Sequence, residues 1–450
     1  MSFTKEEYKA RLKRVQISMQ EKGIELLISQ DTANMNYLTG YDAWSFYYAQ
    51  CVIVHVNAEE PICFVRAQDA GGAYIKTYLK DENIIKYHEK YIHTWPLHPY
   101  DYLVEIIKEK KWDKLSVGLE MDSHYFTAYC YEKIKQGLPN AKLKDSERLV
   151  NWTRLVKSNA EIELMKSAAL ISEKGMKTAM ETINPGVRQC DAVAEIQKTL
   201  FMGTPEFGGD YSSIATLLPT GKGTSASHLT ATQDKFVNGE ATIIEISGVH
   251  KRYHAPMART VLLGKPEQKK IDAMKATNEA LDAGIAVTKP GNTADDVAQK
   301  FWAVLDKYNI KKESRTGYSI GIGYPPDWGE HTLNISKGSV RNHHYANLLG
   351  QNSSVSLDGI FFASGNQIID NKTEINHNCP NSTSRQRYKG ILTDHARASY
   401  LSKTYVDKIA QKTEAYQLSK GILLSDDSSF HSRPELRIFA DDVKCSHGST

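Results

Sequence analysis

Apolar positions in the first third of the chain follow two periods. Tyr8, Leu12, Val15 and Met19 recur on one helical stripe, opened by a Thr4/Glu7 capping box and stopped at Gly23. Unbroken apolar runs at 24–29, 51–56, 62–67 and 114–120 predict strands, and 101–112 predicts a helix. Strands alternating with helices imply an α/β layer domain over residues 1–150.

Near residue 158 a long amphipathic pattern begins. Ser158 and Glu161 form a second capping box, and Ile162, Met165, Ala169, Ser172, Met176, Ala179 and Ile183 keep helical spacing until Asn184-Pro185-Gly186. The same grammar, helix, Pro-Gly, helix, returns at Pro290-Gly291. Asp191 and Asp296 sit at equivalent places near the start of the second helix, where the macrodipole favours a carboxylate. Two similar halves predict a pseudo-symmetric domain over 151–338. Between them, 241–249 and 258–264 read as strands joined by KRYHAPM, either a turn-rich hairpin or a short wide connection.

After about 338 the pattern shortens. Segment 350–384 is rich in Asn, Ser and Gly, and brief apolar-polar alternations recur to the end of the chain. Short strands separated by polar turns predict a third domain over 339–450, a sandwich or a stacked β-solenoid.

The charge balance narrows the function classes. With 56 basic and 53 acidic residues among 450, the net charge of +3 supplies no field for nucleic acid or an anionic membrane. The six cysteines show no knuckle or disulfide-scaffold spacing, so reduced thiols are expected. A charged N-terminal segment and the lack of a long apolar run point to a cytoplasmic protein.

Candidate chemistry concentrates in four places. His228 follows a loop of small residues, and Glu245 lies among Ile243, Ile244 and Ile246 on an expected buried strand, with Arg259 as a structural partner. Segment 315–333, with four glycines and Pro325-Pro326, predicts a rigid irregular loop carrying Tyr318, Tyr324, Trp328, Glu330 and His331. Its GIG lacks the following helix and acidic partner of a dinucleotide loop. Asp42 and Trp44 belong to an aromatic run that either closes over a ligand or edges a core. Cys445 and His447, beside Lys444, suit either an activated thiolate or an exposed tail.

Five strings, NYLTGYDAWSFY, VKSNAEIELMKSAA, HLTATQDKF, EISGVHKRYHAPMARTVLLGKP and RTGYSIGIGYPPDWGEHT, resemble the creatinase and aminopeptidase P family of pita-bread proteins. Within it, residues 1–338 are most similar to the ectoine hydrolases. The resemblance implies an α/β N-terminal domain, an α+β pita-bread domain, a homodimer, and hydrolytic opening of the ectoine ring to N-acetyl-2,4-diaminobutyrate. An Xaa-Pro peptidase or creatinase-like hydrolase is the alternative within the family. The resemblance stops near 338, before the family's last strands and its two late glutamates.

The family's metal-dependent members use two aspartates, one histidine and two glutamates. Glu245 takes the first aspartate position, Pro256 the second and Tyr318 the histidine position. No metal and no other cofactor is therefore expected. The resemblance makes His228 and His331 the family's two histidines. A metal-free reaction would use His228 as general base and acid with His331 assisting, and Glu245 to orient the histidine or face the substrate's cation. Asp42, Trp44, Tyr318, Tyr324 and Trp328 would then bind substrate.

A second resemblance begins near 339. SVRNHHYANLLGQNSSVSLDGIFFASGNQIIDNKTEINHNCPNSTSRQRYKGIL and PELRIFADDVKCSHG are similar to the core of SufD, a scaffold family of SUF iron-sulfur cluster assembly. It implies a partial right-handed parallel β-helix, a SUF scaffold partner, and a role for Cys445 and His447 at that interface. The chain thus reads as a chimera of two families.

Overall fold

The computed structural model describes residues 2–312, 315–331, 339–365 and 367–449. Its N-terminal layers contain α1 (Lys5–Glu21), β1 (Leu26–Ser29), α2 (Thr32–Thr39), β2 (Cys51–His55), β3 (Ile62–Arg66), α3 (Ala70–Lys76), β4 (Ile84–Tyr87), α4 (Pro99–Glu109), β5 (Ser116–Leu119), α5 (Ala128–Gly137), β6 (Lys142–Asp145) and α6 (Leu149–Arg154). The sheet order is β4-β3-β2-β1-β5-β6, with β2 antiparallel to both neighbours and the remaining pairs parallel. Alternate strand residues feed two cores. Leu27, Val52, Val54 and Val65 join Tyr8, Leu12 and Val15 of α1, while Leu26, Ile28, Ile53 and Phe64 join Leu103 and Ile107 of α4. Strands β4 and β6 escape the apolar-run criterion because they are short edge strands, the second reading Lys-Leu-Lys-Asp.

Two long helices follow, α7 (Asn159–Thr182) and α8 (Gln189–Met202), then the hairpin β7 (Ala241–His250) and β8 (Tyr253–Leu262). The Ser158 box closes reciprocally, Glu161 N–H donating to Ser158 Oγ at 3.3 Å and Ser158 N–H to Glu161 Oε2 at 2.9 Å. Helix α7 lies tightly on β7. A methyl at Gly248 would stand 2.3 Å from Ala168 O, which explains the glycine there. The connection KRYHAPM is not a wide loop: only Lys251 and Arg252 turn the hairpin, at φ +48° and +69°, and Tyr253 to Met257 belong to β8.

The second helix pair is α9 (Gln268–Val287) and α10 (Ala294–Lys307), the latter opened by a Thr293/Asp296 box. Segment 315–333 is likewise more regular than its glycines suggest. It forms β9 (Ser319–Tyr324) and β10 (Asp327–His331), joined through a cis Pro325–Pro326 bond, in an antiparallel sheet of order β10-β9-β8-β7.

The C-terminal strands are β11 (Ser339–Leu348), β12 (Ser354–Ala363), β13 (Ile368–His377), β14 (Thr383–Leu392), β15 (Arg397–Val406), β16 (Thr413–Leu423), β17 (Ser429–Ile438) and β18 (Val443–Ser449). Successive strands alternate between two parallel sheets, β11-β13-β15-β17 and β12-β14-β16-β18, each in unbroken register. The strands are longer than the apolar pattern suggests because their inward positions are often polar. Thr373, Gln386, Thr404 and Gln417 are all buried, and their side chains hydrogen-bond one another in a column. Tyr388 and Tyr400 stack at 4.3 Å beside it.

By contact the chain forms two compact units. One comprises residues 1–275 with 317–333, the other 276–316 with 334–450.

Candidate active site

The first unit gathers several of the expected substrate residues around one buried cation. Arg252, fully buried at the hairpin turn, donates from Nη1 to Tyr211 O at 2.6 Å and from Nη2 to Gly323 O at 2.7 Å. Its guanidinium carbon lies 3.7 Å from the Tyr211 ring centre and 4.6 Å from that of Tyr324. Tyr324 in turn donates to Asp42 Oδ1 at 2.7 Å and accepts from Asn36 Nδ2 at 2.9 Å. Burial and the Asp42 carboxylate push the Tyr324 phenol well up, so it stays protonated. Trp44 sits edge-on to Tyr211 at 4.6 Å and against Phe46 at 4.9 Å. The aromatic run of the N-terminal domain therefore meets β9 directly. Within this cluster Tyr211 Oη, Ser212 Oγ and Arg252 Nε are buried polar atoms lacking a protein partner among the described residues.

A second, adjoining group carries Tyr318 and Trp328. Trp328 Nε1 donates to the Tyr318 hydroxyl at 2.8 Å, and the Trp328 ring lies 6.4 Å from that of His254. His254 accepts from Ser213 N–H at Nε2, 3.0 Å away, and lies 2.9 Å through Nδ1 from Arg252 O; the proton therefore resides on Nδ1. Burial, reinforced by Arg252, lowers its pKa to about 3. Gly323 is required at this approach, since a methyl there would stand 2.8 Å from Ser213 Oγ and 3.0 Å from the His254 ring. Arg252, His254, Ser213 and Tyr211 were not singled out from sequence. The hint was two bulky residues at a two-residue hairpin turn, which becomes visible only once the strand register is known.

The expected catalytic residues are distributed over a loop, β7 and the end of β10. His228 is exposed, in a loop at φ +64°. That loop is tied to β7 through Leu217, which bridges both Thr230 and Glu245. Leu217 N–H donates to Glu245 O at 3.1 Å, and Glu245 N–H returns to Leu217 O at 3.0 Å. Glu245 is half-buried, not enclosed among its isoleucines, because Ile244 and Ile246 point to the α7 side and Glu245 to the other. The register sets Arg259 opposite Ile244, so its side chain leaves on the face away from Glu245, and the salt bridge expected between them gives way to an Arg259 Nη1 bond to Ala258 O. His331 ends β10, and its side chain lies outside the described residues. Its neighbour Glu330 is buried and paired with Arg154 at 2.9 Å and with Lys157, while Arg154 also donates to Asn34 Oδ1 and Ile322 O. This network fixes β10 against α2 and α6.

The positions assigned to metal ligands do not fit a two-metal centre. Ser247 pairs with Pro256 and Glu245 with Ala258, so Pro256 shares the face of Glu245, where it offers no donor side chain. The Tyr318 hydroxyl accepts from Trp328.

Cys445 and His447 occupy one face of β18, opposite Ala415 and Gln417. Burial against the Val406 and Ala410 cluster pushes the Cys445 thiol up.

Comparison with known proteins places the chain. Residues 11–156 match the creatinase/prolidase N-terminal domain and residues 163–345 the metallopeptidase family M24. The chain belongs to this creatinase-type M24 family, is a hydrolase, and its first unit has the pita-bread fold. Among its relatives is the ectoine hydrolase of Halomonas elongata, 43% identical over 342 residues that cover 74% of this chain and 86% of that protein. A prolidase structure from Thermococcus sibiricus superposes with a TM-score of 0.61 at 19% identity, covering 74% of this chain and 87% of that one. Residues 328–450 match the SufBD core domain of the SUF system for FeS cluster assembly. The iron-sulfur cluster assembly protein SufD of Escherichia coli is 31% identical over 120 residues, 27% of this chain and 28% of that protein.

Proposed function

We propose that the chain is a cytoplasmic hydrolase of a non-peptide C–N bond that opens the ectoine ring to N-acetyl-2,4-diaminobutyrate. The observation that carries this reading is the 43% identity to an ectoine hydrolase across 342 residues. The substrate's amidinium carbon is electrophilic without metal assistance. His228 accepts a proton from water as its oxygen bonds to that carbon; the ring C–N bond then breaks as the imidazolium returns the proton to the departing nitrogen, and the remaining hydroxyl proton passes to the freed amine, leaving a neutral amide and an ammonium. Glu245 faces the cation, His331 assists, and Asp42, Trp44, Tyr318, Tyr324 and Trp328 form the wall that orients the ring. The active form is a homodimer, built from an α/β domain over 1–150 and a pita-bread domain over 151–338. Incubating the purified chain with ectoine and following ring opening by mass spectrometry tests this. Preferential turnover of creatine or an Xaa-Pro dipeptide, or no turnover of ectoine, would overturn it.

A second reading rests on the SufBD match and on the two in-register parallel sheets. In it, residues 339–450 form part of a right-handed parallel β-helix that docks a SUF scaffold partner through Cys445 and His447. The chain spans about a quarter of the SufD relative. Co-purification with such a partner, lost in His447→Ala but kept in His228→Ala, would support it; retention in His447→Ala would overturn it.

A further inference from the structure

A cleft of about 790 Å³ opens in the first unit beside the candidate active site and contains none of its proposed catalytic or substrate residues. Its volume falls within the range of small-molecule pockets. Seven aromatic rings line it, among them Phe46, Tyr47, Trp95 and Tyr129, with Pro325 and Pro326 at one edge. No carboxylate, ammonium or guanidinium is among the lining residues. Burial holds the His98 imidazole near a pKa of about 4, hence neutral at physiological pH.

Such a lining suits neither a metal ion nor a compact, strongly hydrated ammonium, because it has no anion to replace their water. It offers ring faces, whose quadrupoles attract cations that desolvate easily. Rings of this cleft already carry cations: Arg66 lies 4.3 Å from the centre of Tyr48, and Lys133 5.4 Å from that of Tyr129. Both cations are neutralised locally, Arg66 by Glu89 at 2.7 Å and Lys133 by Asp101 at 2.9 Å. Trp95 stacks on Tyr129 at 5.5 Å with 23° between the planes, yet remains 80% exposed. An aromatic face of this size left open to water at a concave rim is a ready contact for a ligand.

We propose that this cleft binds a small organic cation whose charge is sheathed in methyl groups, as in a quaternary ammonium, with Trp95 as its principal contact. Calorimetric titration of the full chain with choline, and with its uncharged isostere 3,3-dimethylbutan-1-ol, tests the assignment. Saturable choline binding, at least about tenfold tighter than the isostere, is expected. Trp95→Ala should abolish it, and Trp95→Phe should retain most of it. Circular dichroism of both variants verifies folding. Equal affinity for the isostere would make the cleft merely apolar, and undiminished binding in Trp95→Ala would place the cation elsewhere. Absence of saturable choline binding to the wild-type chain would likewise overturn the proposal. None of these outcomes depends on turnover of ectoine.

Discussion

The Tyr324 hydroxyl donates to Asp42 Oδ1 at 2.7 Å, linking residues 282 positions apart. With Asn36 Nδ2 donating to the Tyr324 hydroxyl oxygen at 2.9 Å, the phenol is held as both donor and acceptor. The pair joins the N-terminal layers to β9 through a partly buried, charge-assisted bond. Tyr324→Phe removes the donor and leaves the Asn36 amide facing a ring edge. A loss of about 1.5–3 kcal/mol is expected from such a bond. Urea unfolding measures it, and ectoine turnover should show a raised KM. An unchanged midpoint would mean that water replaces the hydroxyl without cost.

Arg252 makes a stronger demand. Its side chain is fully buried and bridges Tyr211 O and Gly323 O. Arg252→Met leaves both carbonyls without their donor and removes the cation between two rings, with an expected cost of about 3 kcal/mol or more. Arg252→Lys keeps the charge but cannot span both carbonyls, so it should recover less than half of the loss. Full recovery by lysine would show that charge, not the planar fork, is what the site needs.

These residues mark where sequence reading succeeded and where it stopped. The capping box at Ser158, the helical stripe of α1 and the apolar strands of the first sheet were legible because each is a local pattern. Tyr324 and Trp328 stand out in the sequence as aromatics in a glycine-rich run, yet Asp42 and His254, which they meet in the fold, lie far off along the chain. Arg252 and His254 carry no such local pattern, because the apolar run of β8 begins only at Ala258 and leaves Tyr253 to Met257 in the connecting segment. The C-terminal strands outrun their apolar pattern for a related reason: buried Thr, Gln and Ser satisfy one another, so burial there carries no apolar signature.

Metal content follows from the donor set. Pro256 and Tyr318 replace two would-be ligands, so protein purified without chelator should carry less than two equivalents of manganese, cobalt or zinc by elemental analysis. Two equivalents bound within residues 150–338 would contradict the assignment of these positions.

Acid should weaken the second unit through His377. Its imidazole is fully buried, 2.6 Å from Ser382 Oγ and 2.8 Å from Ser384 Oγ, and burial lowers its pKa to about 4 from an ordinary 6.5. The unfolded chain therefore binds this proton more readily. The contribution is fully present above about pH 6.5 and is lost as pH falls toward 4, at up to about 1.4 kcal/mol per pH unit. Thermal unfolding of His377→Gln between pH 7 and 5 should show a flatter pH dependence than the parent. Parallel slopes would assign the acid sensitivity to other groups.

The two family matches overlap between residues 328 and 345, and each compact unit has its own buried clusters, around Ile171 and Ile246 in one and around Tyr388 and Tyr400 in the other. Units with separate cores and separate polar networks should unfold separately. Scanning calorimetry is expected to show two transitions. Arg252→Met should lower only the transition of the first unit, and His377→Gln at pH 5 should move only that of the second. Limited proteolysis with intact-mass analysis should find an early cut within 328–345, after which the C-terminal strands keep their own transition. Residues 276–316 belong to the second unit, so the N-terminal fragment that carries them should stay associated with the C-terminal fragment on size exclusion. One cooperative transition displaced by both substitutions, with no early cut, would instead establish that sequences from two families have become a single folding domain.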